Sequence, residues 1–250
     1  MVEPLFRFAG ELADNSEVVL DGDEGHHAVS VRRMRVGEPI ALTNGLGLRA
    51  RGTVSQVDRR NLAVRISSVM QEPPPTWPLT LIQAIAKGDR DELAIQAATE
   101  IGIATIVPWQ ADRSISRWDG KEAKGVERWQ SIVDEASKQS LRSWFPSVSK
   151  PLNTQELSKL VAHQANEGTR FLVLDPTAEI GLGSILSDVA KLEKPITVIV
   201  GPEGGITENE LKSLESAGAV RVHLGKGILR TSTAGVAALA ALTAGSGAWG

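Results

Sequence analysis

The run Ile196-Thr197-Val198-Ile199-Val200 breaks directly into Gly201-Pro202-Glu203-Gly204-Gly205 and then into Ile206-Thr207-Glu208-Asn209-Glu210. A β-branched run, a glycine and proline break, then Thr with an acid behind it predict a strand, a tight loop and a capped helix. Glycine at such a junction lets backbone N–H and C=O groups approach a ligand that a Cβ would hold away. The loop is therefore a candidate small-molecule cradle at a strand's carboxyl end. Shortly after comes a second junction, Val220-Arg221-Val222-His223-Leu224-Gly225, followed by Lys226-Gly227-Ile228-Leu229-Arg230-Thr231-Ser232-Thr233-Ala234. Glycine-bearing strand ends this close together point to one shared pocket.

The rest of the second half follows the same rhythm. Leu79 to Ala84 reads as a strand, Asp89 to Ile101 as a helix ended by Gly102, and Thr105-Ile106-Val107 as a strand stopped by Pro108. Lys121 to Leu141 reads as a long polar helix carrying Trp129, Phe171 to Pro176 as strand and turn, and Thr233 to Thr243 as a closing small-residue helix. This alternation predicts an α/β domain, a mostly parallel sheet with helices on both faces, over 79–250. Residues 1–70 differ. Short strands at Val18-Val19-Leu20, Pro39 to Leu42, Gly52-Thr53-Val54 and Leu62 to Ile66 are parted by turn residues. They predict a small β-barrel, with the helix-like piece His26 to Met34 over one opening. Between the domains, residues 71–78 (Gln71-Glu72-Pro73-Pro74-Pro75-Thr76-Trp77-Pro78) read as a stiff proline-rich linker.

A chain of 250 residues that is 42% hydrophobic and 23% charged suits a soluble globular protein. It has no cysteine, which rules out disulfides and thiolate metal sites and suits a reducing cytoplasm. No secretory leader opens it, and the longest apolar stretch, Ala234 to Ala244, is too short to span a bilayer. The net charge of −3 argues against indiscriminate polyanion binding but hides an asymmetry. Residues 1–24 hold seven acids against the single base Arg7. Residues 25–70 hold eight arginines (Arg32, Arg33, Arg35, Arg49, Arg51, Arg59, Arg60, Arg65) against Glu38 and Asp58. Arginine's planar fork suits phosphate, so the block fits a local nucleic-acid footprint. It fits equally a set of solvated strand-face charges pairing with the acidic leader. No G-x-G-x-x-G opens the second domain and no P-loop is present, which speaks against a nucleotide-binding oxidoreductase.

The tail G-P-E-G-G-I-T-x-x-E followed by L-G-x-x-I-L-R-T-x-T-A resembles the SPOUT superfamily of trefoil-knotted methyltransferases. Within it, the chain is most similar to the family that methylates N3 of a uridine in small-subunit (16S) ribosomal RNA. Arg7-Phe8 and His27-x-Val29-x-Val31-x-Arg33-Met34-x-x-Gly37-Glu38 are similar to that family's PUA/OB-like RNA-binding barrel. Lys87-Gly88-Asp89-Arg90 through Gln96, Glu100-Ile101-Gly102 and Pro108 resemble the opening of its catalytic domain. Arg113-Ser114, Arg128-Trp129, Gln139-Ser140-x-Arg142 and Pro146 resemble its middle. The likeness spans nearly the whole chain.

The resemblance implies a C-terminal knot that binds S-adenosyl-L-methionine, and an obligate homodimer with its site at the interface. It places the cofactor against Leu174, against Gly201, Pro202, Glu203, Gly204 and Gly205, and against Leu224, Gly225, Ile228, Leu229, Arg230, Thr231, Thr233 and Ala234. No metal is needed, because a sulfonium methyl is already electrophilic. A cationic donor near O2 or O4 of the uridine would stabilise the developing imide anion, and Arg142, Arg113 and Arg230 are the candidates. Expected RNA contacts are Arg7, Arg32, Arg33 and Arg35 in the first domain, then Lys87, Arg90, Arg113, Arg117 and Arg142 in the second. Trp118, Trp129 and Trp144 interleave with basic residues and suit either base stacking or core anchoring, the latter preferred for Trp129. His223 reads as a core histidine, Glu203 as a loop or helix-start acceptor, and the proton acceptor is unassigned.

At three positions the chain departs from the family pattern: Ser232 where Glu is common, Lys138 where an acid is common, and Asp91 where a hydrophobic residue is usual. Two rival readings stay open: a SPOUT enzyme acting on another nucleotide, for instance at a ribose 2′-O, and a non-catalytic RNA-binding ribosome assembly factor.

Overall fold

The computed structural model describes residues 3–76, 78–189 and 194–249, with 187–189 as backbone only. Two compact units divide it. The first runs to Pro74 and includes Ser137–Phe145; the second is Pro75–Ala136 and the chain from Pro146 onward. Ser137–Phe145 thus groups with the first unit although it lies within 79–250. Trp77 of the proline-rich segment lies outside the described residues.

The first unit is built on β1 (Leu5–Arg7), β2 (Glu17–Leu20), the helical turn α1 (Gly22–His26), β3 (Pro39–Thr43), β4 (Leu48–Val57) and β5 (Leu62–Gln71). They form a curled five-stranded sheet in the order β1-β3-β4-β5-β2, with β1 parallel to β3 and the other pairings antiparallel. β4 is much longer than its Gly52-Thr53-Val54 centre predicts, because Gly52 sits inside the strand at a bulge. A Cβ there would lie 2.6 Å from the Arg65 carbonyl oxygen, so only glycine fits beside the neighbouring strand. The helical piece starts before His26, passes through a wider turn over His27–Val31, and ends before Arg33, whose φ is +54°. Phe6, Leu20, Ile40, Leu42, Leu62 and Ile66 fill the core. The added segment is stitched in by backbone bonds from Gly47 N–H to the Ser143 carbonyl (2.9 Å) and from Phe145 N–H to the Gly45 carbonyl (2.9 Å).

The second unit contains β6 (Leu79–Ala84), α2 (Arg90–Ile101), β7 (Thr105–Gln110), most of α3 (Glu122–Gln139), β8 (Ser147–Val148), β9 (Leu152–Asn153) and α4 (Thr154–Asn166). It continues with β10 (Arg170–Leu174), α5 (Leu182–Val189), β11 (Ile196–Val200), α6 (Glu208–Ser216), β12 (Val220–Val222) and α7 (Thr231–Gly245). The strands form a parallel sheet in the order β12-β10-β11-β6-β7-β8, with β9 also on β7. Strand alternation sends Leu81, Leu172 and Val198 to the face packed with α2, α3, α5 and α7, and Ile82, Val173 and Ile199 to the face under α4 and α6. Being covered on both faces, β11 is buried along its whole length, which is why its sequence is an unbroken apolar run.

Pro108 does not stop β7, which runs on to Gln110. β8 pairs at Thr105 and Ile106, β9 only from Trp109, so proline's missing N–H falls in the gap between the two short partners. Two other predicted features have a visible cause. α2 ends at Gly102 (φ +110°), and α6 starts at Thr207, whose side chain accepts from Glu210 N–H in a reciprocal capping box. Glu210 also accepts from Asp112 N–H (2.9 Å) and the Thr154 hydroxyl (2.8 Å), tying together the end of β7, α4 and α6. Among the described residues no helix is long and apolar enough to cross a membrane.

Candidate functional site

β12, β10 and β11 lie side by side and end at Val222, Leu174 and Val200. Open parallel sheets bind ligands beyond such carboxyl ends. There the second unit holds a cavity of ≈ 400 Å³. Its walls are Leu174–Pro176 after β10, the Val200–Ile206 loop after β11, Val222 and Leu224, and the stretch Gly227–Thr231 with Ala234 leading into α7.

Eleven of the fourteen residues expected around the cofactor line this cavity; Gly204, Gly225 and Thr233 do not. A Cβ on Gly204 would point at Arg113, 3.0 Å from its Cβ. Gly201 is held to glycine by Ile206, whose Cγ1 would be 2.5 Å from an added Cβ. Thr231 joins the junctions: its hydroxyl donates to the Gly201 carbonyl (2.8 Å) and accepts from the carboxamide of buried Gln83 at the end of β6 (2.9 Å).

Two acids line the cavity, Glu203 and Asp175. Glu203 Oε1 accepts from Lys87 N–H (3.2 Å) and from the Arg90 guanidinium (3.1 Å), while its buried Oε2 has no partner among the described residues. Arg90, expected among RNA contacts, thus lines the cavity and grips its loop. Sequence reasoning missed a second clasp. Asp175 accepts from Arg221 Nε (2.7 Å) and from the Thr177 hydroxyl and N–H (both 3.0 Å), which fixes the wall after β10. Burial pushes the Asp175 carboxyl up, but the Thr177 hydrogen bonds and the Arg221 charge outweigh it, and its pKa ends below the ordinary range. The visible signal was Leu174-Asp175 at a strand end; Arg221, on a neighbouring strand, had none.

Of the three catalytic candidates, Arg230 lines the cavity as the N-cap residue just before α7, exposed and without an ion-pair partner among the described residues. Arg113 donates to the Gly204 carbonyl on the same loop (3.1 Å). Arg142 belongs to the first unit, half-buried, with burial pushing its guanidinium below its usual value. His223 Nδ1 accepts from Gly225 N–H (3.0 Å), a turn-holding role.

In the first unit, Arg32, Arg33 and Arg35 are exposed, with no carboxylate in ion-pair range among the described residues. Arg7 is exposed on β1, its guanidinium 5.7 Å from the centre of the Phe145 ring. Arg51 and Arg65 instead reach Glu3 and Glu17 of the acidic leader (3.6 and 3.8 Å). Part of the arginine block is therefore paired with the leader, and Arg32, Arg33 and Arg35 are not. In the second unit Lys87 is exposed, and Arg117 is committed to Asp119 at 3.0 Å. Trp129 is buried edge-on to Trp118, with ring centres 5.0 Å apart, and the Trp144 indole donates to the Glu72 carbonyl (3.2 Å). All three tryptophans brace the fold. Of the departures, Lys138 pairs with Glu24 at 2.5 Å and Asp91 is buried at the start of α2. Nothing in the structure explains Ser232.

Comparison with known proteins agrees with this geometry. Residues 72–243 match the RNA methyltransferase domain family, and residues 20–67 match the RNA methyltransferase PUA domain. Ribosomal RNA small subunit methyltransferase E of Mycobacterium bovis is 41% identical over 251 aligned residues, covering 100% of this chain and 94% of the relative. The Bacillus subtilis protein of the same name is 31% identical, over 90% of this chain and 88% of its own. Among solved structures, the Neisseria gonorrhoeae Ribosomal RNA small subunit methyltransferase E bound to S-adenosyl methionine superposes with a TM-score of 0.85 at 31% identity, covering 97% of this chain and 98% of that one. A Legionella pneumophila methyltransferase in complex with the same cofactor gives 0.85 at 28% identity, covering 98% of each chain. A strand-end cavity walled by two glycine junctions, a curled first sheet and family matches across both units lead to one conclusion: the chain belongs to the RNA methyltransferase family, with a PUA-type first unit and a SPOUT-type second unit.

Proposed function

We propose that the chain is an S-adenosyl-L-methionine-dependent methyltransferase of small-subunit (16S) ribosomal RNA, acting on N3 of a uridine. The observation that carries the proposal is the cavity itself: the two tail junctions on which the family resemblance rests line one cavity. The residues present fit this cofactor. A cavity of ≈ 400 Å³ is of the size used for small molecules. Leu174, Val200, Leu224, Leu229 and Ala234 give apolar surface for an adenosine, and Glu203 Oε2, a carboxylate oxygen without a partner among the described residues, suits a ligand that carries positive charge.

When bound, S-adenosyl-L-methionine supplies an electrophilic methyl group on a sulfonium. The protein's own tasks are alignment and charge. Gly201 and its neighbours let backbone reach the ligand, and the Thr231 and Asp175 clasps hold the flanking walls at fixed spacing. Arg230, which lines the cavity and has no ion-pair partner among the described residues, stabilises negative charge on the uridine oxygens as its N3 proton leaves. Arg113, held at the neighbouring loop, and Arg142 remain the second-choice donors. In this reading Arg7, Arg32, Arg33 and Arg35 take RNA phosphates, with Lys87, Arg113, Arg117 and Arg142 adding contacts.

The proposal extends to a trefoil knot around the cofactor, a homodimer, a cytoplasmic location, and domains at 1–70 and 79–250 joined by the 71–78 linker. Support comes from the family resemblance and from full-length relatives that carry a ribosomal RNA methyltransferase name. The test uses methyl-labelled S-adenosyl-L-methionine with ribosomal subunits from cells lacking the protein. Label in small-subunit RNA supports the reading. Label confined to transfer RNA or to the large subunit overturns it.

A further inference from the structure

Asp91 is 6% exposed at the start of α2, and no cation pairs with it among the described residues. Its Oδ1 accepts from Glu92 N–H (2.9 Å) and its Oδ2 from Ala86 N–H (3.3 Å). An apolar side chain would fill this space at lower cost, since a buried unpaired carboxylate is expensive. What the acid holds is the short loop from Ala86 to Arg90, which turns at Gly88 (φ +69°). The same loop carries Lys87 N–H and the Arg90 guanidinium, both of which donate to Glu203 Oε1 at the cavity wall. The loop is fastened by one carboxylate at its base and grips another at its tip.

We infer that Asp91 is a positioning residue: by tying down Ala86 it sets the loop that holds Glu203, and so shapes the cofactor side of the cavity. This rests on the cofactor reading above. Burial raises the Asp91 pKa to about 6, with Glu92 beside it adding to the rise. The other charged groups around it are Arg90 with Glu203, exposed Lys87 and Asp89, and Arg128 of α3, which pairs with Glu92. β6 and α7 contribute no titratable side chain. Protonation below pH ~6 weakens the acceptor that Ala86 uses.

The experiment compares the full-length protein with D91N and D91L. Calorimetry gives S-adenosyl-L-methionine affinity from pH 5 to 8, methyl transfer gives KM and kcat, and thermal melting gives stability. The expected result is a cofactor affinity about tenfold weaker in both variants at pH 7.5, with KM rising more than kcat falls. Melting temperature should stay near wild type in D91N, which keeps an acceptor oxygen and loses the buried charge, whereas D91L leaves the buried Ala86 N–H unpaired and should melt lower. Wild-type affinity should fall below pH ~6, and D91N should lack that step. Wild-type affinity in the variants, or a loss in D91N that only tracks lower stability, overturns the inference. If the wild type itself binds no S-adenosyl-L-methionine, the cofactor reading falls and this inference with it.

Discussion

Replacing Gly201 by alanine should weaken cofactor binding far more than it weakens the fold. The added Cβ would sit 2.5 Å from Ile206 Cγ1 and 3.1 Å from its Cδ1. Carbon pairs settle near 3.5 Å or beyond, so the Ile206 side chain must retreat by about 1 Å. Ile206 lines the cavity, so the free protein can relieve the contact by moving that side chain into open space. A bound ligand forces it back. Overpacking of this kind costs about 1–3 kcal/mol, and here the cost falls on the bound state, which corresponds to roughly 5- to 150-fold in Kd. The assay is calorimetry with S-adenosyl-L-methionine on a four-member cycle of wild type, Gly201→Ala, Ile206→Ala and the double variant. The double variant should recover most of the affinity lost by Gly201→Ala, and the single variant's urea midpoint should stay near wild type. Unchanged affinity in Gly201→Ala, or no recovery on trimming Ile206, refutes the reasoning.

Three other substitutions probe separate parts of the account. Glu210→Gln turns an acceptor of several hydrogen bonds into a group that presents an NH₂ to donors, and should cost about 2–4 kcal/mol in urea unfolding. Burial raises the Glu210 pKa, but bonds from Asp112, Thr207 and Thr154 depress it overall; the stability it adds is present above the unfolded-state pKa and lost as pH falls through the folded one, so an acid titration should separate wild type from variant less and less. Lys138→Glu faces Glu24 with a like charge at a side chain only 8% exposed and should destabilise the first unit by about 3 kcal/mol, with Glu24→Lys restoring part in the double variant. Arg230→Ala should lower kcat by about 100-fold with little change in cofactor affinity, measured by single-turnover methyl transfer.

Much of the second unit was legible because its signals are local. Ile196–Val200 announces a strand covered on both faces, and Thr207 with Glu210 announces a helix start without help from tertiary structure. Asn153 and Glu156 carry the same capping signal for α4, but the two-residue strand β9 directly before it blurs the helix start. What could not be read is set by distant partners. Pro108 sits inside β7 only because β8 and β9 leave a gap there. Gly52 breaks a strand pattern yet serves a close approach to the Arg65 carbonyl. Lys138 makes sense only beside Glu24, far away in the chain. In the cavity, the glycine junctions were visible as motifs, whereas Arg90 on Glu203 and Arg221 on Asp175 join residues 113 and 46 positions apart, and periodicity carries no trace of such pairs.

The central claim is that this cavity delivers a methyl group to a uridine base of small-subunit RNA. Its most direct test is nucleoside mass spectrometry of 16S RNA after incubating small subunits, taken from cells lacking the protein, with purified protein and methyl-deuterated S-adenosyl-L-methionine. The account predicts deuterated 3-methyluridine, reduced at least several-fold when Gly201→Ala replaces the wild type at limiting cofactor. Deuterium on a ribose 2′-oxygen or on another base, or RNA binding with no transfer at all, would contradict it.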